Sequence, residues 1–151
     1  MNLEQVLEQR AIGFEKHKHR VAYTAQRLAS AEHVSGYDVA KPVVVKGGGR
    51  FTMCVLPACA RLDLARVAEL LNLPSVQLAT ESEMNTLFPD CELGAEPPIG
   101  KLFGLPTIMD EQLREDEYVT MQAGTHTESV KLRRRDWESL CDPLVAPISQ
   151  P

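Results

Sequence analysis

No run in this sequence approaches the roughly 18 consecutive apolar residues of a membrane-spanning helix, and the opening MNLEQVLEQR lacks the apolar core of a signal peptide. The expectation is a soluble protein of the cytoplasm with no membrane partner. Glycine and proline stand at ordinary levels, 9 and 10 of 151 residues, too few for a collagenous or low-complexity chain. Positive charge is short as well: Lys and Arg total 16 against 21 Asp and Glu, a formal net charge of −5. That balance argues against DNA, or any nucleic acid held through bulk positive charge. The four cysteines, Cys54, Cys59, Cys91 and Cys141, form no C-x-x-C pair and complete no zinc-site spacing with histidines. Free thiols of a reducing compartment are the simpler reading, with Cys54 a small buried hydrophobe inside the apolar run 51–56.

What is present fits one globular domain. At roughly 150 residues per domain the chain holds one, spanning 1–151, with 44% hydrophobic and 25% charged residues, ordinary proportions. Charge is unevenly spread. Glu81, Glu83, Asp90, Glu92 and Glu96 stand without a basic partner in 81–96, and 110–117 is also acidic, so the remainder is basic on balance. Lys16, Lys18 and Arg20 form one basic cluster and Lys131, Arg133, Arg134 and Arg135 another. This leaves room for a localised basic surface despite the acidic total, although a solvated face is the plainer reading of charge alone.

Leu3, Val6 and Leu7 predict a short N-terminal helix and 14–21 a strand. Thr24 caps a second helix bearing Leu28 and Ala29. The β-branched run 39–45 and the run 51–56 flank Gly47-Gly48-Gly49, which predicts strand, turn, strand. Asp63 caps a helix with Leu64, Val67, Ala68 and Leu71 on one face, stopped by Asn72 and Pro74. Residues 76–78 predict a short strand, and Thr80-Glu-Ser-Glu83 has capping-box spacing for a further helix ending at Pro89. A Gly/Pro-rich loop, three strands (105–109, 118–122 and 128–132) and a closing helix with Trp137 complete an α+β domain, a mixed β-sheet with flanking helices. The tail from about 143, with Pro147 and Pro151, is expected to be loosely ordered.

The glycine triplet is not a G-x-x-x-x-G-K-[ST] phosphate cradle and suits a hairpin turn. His17 and His19 share a strand face but have no further ligands nearby, so a metal is not expected. No nucleophile elbow occurs. Three places stand out. Lys46 follows Val43-Val44-Val45, Gly94-Ala95-Glu96-Pro97-Pro98-Ile99-Gly100 joins glycines to a stiff diproline, and Gly124-Thr125-His126-Thr127-Glu128-Ser129 sets a His and a Ser in a turn. Composition alone allows plainer readings: a snorkelling lysine, a surface loop and a hairpin turn.

In order and separation, these segments resemble the YbaK / prolyl-tRNA synthetase editing-domain family of free-standing aminoacyl-tRNA deacylases. The resemblance covers Thr24-Ala25 to Ala29, His33-Val34, Val39-Ala40-Lys41 to Lys46, G-x-x-x-P-x-G at 94–100, and Ala123-Gly124 to Ser129-Val130-Lys131-Leu132. It implies hydrolysis of the ester joining a small wrong amino acid, such as Ala or Cys, to tRNA, with tRNA for proline the expected substrate. It makes Lys46 the essential lysine and Gly94 and Pro98 the defining positions of the substrate loop. Ala95, Glu96, Gly100, Gly124, His126 and Ser129 are candidate substrate contacts. No metal and no cofactor are implied. The implied partners are the 3′ CCA end of a mischarged tRNA and prolyl-tRNA synthetase. The alternative is a non-catalytic module of the same fold holding an aminoacyl or nucleotide ligand, or a protein. On the deacylase reading Glu96 either receives the substrate's ammonium group or, more simply, is an exposed loop acid. Gly94→Val cuts the rate while leaving the fold largely intact, because the loop is expected at the surface.

Overall fold

The computed structural model describes residues 2–32 and 34–151, so His33 lies outside the described residues. Its helices are α1 (Leu3–Gln9), α2 (Ala25–Ala31), α3 (Leu64–Leu70), α4 (Glu81–Leu87) and α5 (Arg134–Cys141). The strands are β1 (Phe14–Lys18), β2 (Ala40–Gly47), β3 (Arg50–Pro57), β4 (Gln77–Leu78), β5 (Thr107–Asp110), β6 (Tyr118–Gln122), β7 (Glu128–Arg133) and β8 (Leu144–Ala146).

The helix starts follow from local hydrogen-bond chemistry. Thr24 and Asp63 each accept the backbone N–H three residues on. Thr80 and Glu83 close a reciprocal capping box on α4, and Asn2 and Gln5 do the same on α1. Gly48 and Gly49, at φ 60° and 73°, turn β2 into β3 through a conformation that side-chain-bearing residues resist.

The single mixed sheet expected from the sequence is two sheets. One is antiparallel, in the order β1-β7-β6; the other is mixed, β4-β2-β3-β5-β8, with β3, β5 and β8 parallel. A lone parallel bridge from Val39 to Thr120 joins them. Strand alternation explains the division of the core. Val44, Met53, Val55 and Met109 turn to the face that packs against Val119, Met121, Val130 and Leu132 of the smaller sheet, together with α1, Ile99 and Trp137. Val45, Cys54 and Ile108 turn the other way, onto Val67 and Ala68 of α3. A third cluster seats Leu28 and Ala29 of α2 against Ala22, Val39 and Ala58.

The tail is also ordered, against expectation. Residues 144–146 pair with β5, Ile148 is buried, and the N–H of Gln150 donates to the carbonyl of Arg61 at 2.7 Å. Pro147 follows the last paired residue, so its missing N–H costs the ladder nothing. Among the described residues no helix is long and apolar enough to cross a membrane.

Candidate active site

Lys46 follows Val45 and so returns to the face of Val44, the face that α4 and Ile99 also cover. Its ammonium lies 2.8 Å from Glu83 Oε2 of α4, and 5.9 Å from the Phe51 ring centroid. The Lys46 hydrogen bond, with a further one from the Thr80 N–H, holds the Glu83 carboxyl below the usual range. The lysine itself is half exposed, flanked in the sheet by Phe51 of β3 and Gln77 of β4, with its charge in reach of solvent.

The 94–100 loop is mostly buried, which corrects the surface expectation. Ala95 to Gly100 are all buried, and Glu96 is only 3% exposed. Its carboxylate folds back two residues and accepts the N–H of Gly94 at 3.0 Å. Gly94 stands at φ 88°, which aims that N–H inward; the buried acid is thus hydrogen-bonded, as burial demands. Pro98 is fixed from behind, its carbonyl accepting Trp137 Nε1–H at 3.0 Å and facing Cys141 Sγ at 3.6 Å. Gly100 has no room for a side chain: a Cβ there would clash with Thr107 Oγ1 and lie 2.5 Å from the Leu105 carbonyl oxygen.

The loop is laced to the turn between β6 and β7. Glu92 donates its N–H to the Gly124 carbonyl at 2.8 Å, and Gly124 donates to Ala95 at 2.8 Å. Glu92 Oε1 accepts the His126 N–H at 3.0 Å. The buried His126 ring lies between two carbonyls, Nδ1 3.2 Å from that of Ala22 and Nε2 2.7 Å from that of Leu93. A neutral imidazole has one N–H and satisfies one of them; a doubly protonated ring satisfies both. Either way the ring clamps two backbone segments, and neither nitrogen is poised on a serine or cysteine. A Cβ at Gly94 would sit 3.4 Å from His126 Cε1 and 3.6 Å from the Tyr23 carbonyl oxygen.

Gly94, Ala95, Glu96, Gly124 and His126 therefore form one hydrogen-bonded cluster, with Pro98 and Gly100 as its anchored base. Lys46 stands apart on its strand, paired to α4. Ser129 is fully buried, its hydroxyl donated to Glu32 at 2.5 Å, and so belongs to the packing between β7 and the end of α2. Glu92, Leu93 and Tyr23 went unnoticed in the sequence. Glu92 looked like one more acid in an acidic stretch, and Tyr23 was overshadowed by the helix cap beside it.

A cavity of about 190 Å³ opens beside Pro97, Phe103, Ala123, Gly124, Leu3 and Cys91. The Cys91 thiol is pushed up to about 11 by burial and by Glu96 and Asp90, and burial pushes Cys54 up to about 12. Neither supplies a thiolate nucleophile near neutral pH. Among the described residues no three His, Cys, Asp or Glu side chains gather as a metal site.

The fold is shared with several solved structures. Hypothetical protein APE2540 superposes with a TM-score of 0.88 at 21% identity, over 98% of this chain and 99% of that one. A protein described as a "putative trans-editing enzyme for prolyl tRNA synthetase" gives 0.84 at 23% identity, over 99% and 95%. A scaffold used for computational epitope grafting gives 0.86 at 22%, over 98% and 94%. No curated protein matches significantly. Residues 19–140, which contain both Lys46 and the whole loop-and-turn cluster, match the aminoacyl-tRNA editing domain. The chain belongs to the aminoacyl-tRNA editing domain family.

Proposed function

We propose that this protein is a trans-editing aminoacyl-tRNA deacylase that hydrolyses the ester of a small wrong amino acid, such as alanine or cysteine, on tRNA, with tRNA for proline the first candidate and prolyl-tRNA synthetase a candidate partner. The observation that carries the reading is the 94–100 loop: a positive-φ glycine left clear of side chain, on a base fixed by Trp137 and by the crowding at Gly100.

An aminoacyl ester is already reactive, so a site that positions it and stabilises the developing oxyanion lets water attack without a protein nucleophile. The aminoacyl α-ammonium is a stronger partner for Glu96 than an uncharged N–H. Once it takes the carboxylate, the Gly94 N–H is released toward the ester carbonyl. Lys46 would likewise exchange Glu83 for the phosphate or the charge near the ester. The cavity lies below the 300–1,000 Å³ of ordinary ligand pockets, which favours a small acyl group. The rival reading, a non-catalytic module, draws on the Lys46–Glu83 pair, which occupies the lysine in the free protein.

The test is a panel of tRNA for proline charged with alanine, cysteine, serine, 2-aminobutyrate or proline. The deacylase removes one or more of the small non-cognate residues and spares proline. Saturable binding with no ester loss across the panel would leave the module reading.

A further inference from the structure

We propose that Tyr23 and Leu93 form a stacking seat for the 3′-terminal nucleobase of the tRNA, an inference that rests on the deacylase reading above. Both side chains are large, apolar and open to solvent, 62% and 41% exposed. Isolated exposed hydrophobics are commonplace, but these two are organised by one buried imidazole. His126 meets the carbonyl of Ala22, next to Tyr23, with one ring nitrogen and the carbonyl of Leu93 itself with the other. The Tyr23 ring lies 4.9 Å from the imidazole, tilted by 57°, and its carbonyl oxygen lies 3.6 Å from where a Cβ on Gly94 would sit. An apolar rim is therefore held rigidly where the ester would be brought.

The local charge says what kind of grip this rim provides. Asp90 and Glu92 precede the loop in the chain and Glu96 lies within it, so phosphate attraction cannot dominate there. Unpaired RNA ends are instead taken by splaying bases onto aromatic side chains, a contact that is sequence-tolerant and needs no net positive charge. A terminus common to all tRNAs requires no base readout. Arg20 and Arg27, both exposed and near Tyr23 in sequence, can meet the adjoining sugar–phosphate.

The experiment compares wild type, Tyr23→Ala and Tyr23→Phe on mischarged tRNA, and on an uncharged acceptor-stem minihelix ending in 2-aminopurine. Stacking predicts fluorescence quenching by wild type and Tyr23→Phe and its loss in Tyr23→Ala. It also predicts that Tyr23→Ala loses about 5- to 150-fold in kcat/KM, carried mainly by KM because the seat binds ground and transition states alike. Wild-type values in Tyr23→Ala would overturn the seat, as would a Tyr23→Phe variant as impaired as Tyr23→Ala. Because the minihelix carries no ester, the two readings separate. Quenching without hydrolysis keeps the seat and removes the deacylase; hydrolysis without quenching does the reverse.

Discussion

Two glycines of one loop are required for different reasons. Gly100 is a matter of space, since a methyl group there meets the Leu105 backbone carbonyl as well as Thr107 Oγ1, and the backbone cannot yield as a side-chain tip can. Gly100→Ala is expected to cost about 1–3 kcal/mol, the scale of overpacking, and to lower the melting temperature by several degrees. Gly94 is a matter of backbone conformation: any L side chain at φ 88° is strained, by about 1–2 kcal/mol. The expectation that Gly94→Val leaves the fold largely intact is therefore replaced. Gly94→Ala is the milder variant, destabilised less than Gly100→Ala and slower in deacylation. Thermal melts of the two alanine variants check this, and a Gly100→Ala protein that melts with wild type would contradict the packing account. Glu96 shows where reading residues in order stops. Next to a diproline in an acidic stretch it reads as a solvated acid, because nothing in composition reveals that a positive φ at Gly94 turns an N–H inward to meet it.

At the scale of elements, the polar signals of helix starts and turns were legible, since Thr24, Asp63, Thr80 with Glu83, and the glycine triplet act on residues a few positions away. What was lost depends on distant pairing. The closing strand β8 has no local signal beyond three residues, and its ladder partner β5 lies over 30 positions earlier. The division into two sheets likewise rests on β1 choosing β7, from the far end of the chain. Another long-range meeting sets a pH dependence. Asp116, just before β6, is pushed up to about 7 by burial and by the neighbouring Asp38, against the opposing pull of Arg134 on α5. The native state then holds a proton that the unfolded chain releases near pH 4, so this contribution to stability falls as pH rises from about 4 to about 7 and is level above. Asp116→Asn should melt higher than wild type at pH 8 and show a flatter melting-temperature curve between pH 5 and 8. Parallel curves for the two proteins would remove Asp116 as the cause.

Across the whole molecule, antiparallel pairing of β1 with β7 brings onto one sheet basic groups over a hundred residues apart in sequence. They lie on opposite faces, Lys16 and Lys18 beside Val130 and Glu128 and Lys131 beside Glu15. Lys16 and Lys18 lie on the same small sheet as Lys131 and Arg133, whose cations sit 5.2 and 5.3 Å from the Tyr118 ring. Several of these cations are already engaged, as Lys16 is by Glu4 at 3.1 Å, and the net charge remains −5. Under the proposed function, the protein needs local contact with an RNA end and not a long electrostatic embrace, and the work falls to the loop, the His126 clamp and Lys46 of β2. The most direct measurement is single-turnover deacylation of a susceptible mischarged tRNA by wild type, Lys46→Ala and Lys46→Arg, each checked for folding. If Lys46 supplies charge at the reacting ester, Lys46→Ala loses about 10²–10³ in rate, the scale of one electrostatic stabiliser. Its melting temperature moves by no more than about 2 °C, and Lys46→Arg recovers only part of the rate, because a planar fork does not replace a compact ammonium. A folded Lys46→Ala protein with wild-type rate would contradict the account and leave Lys46 as the partner of Glu83 alone.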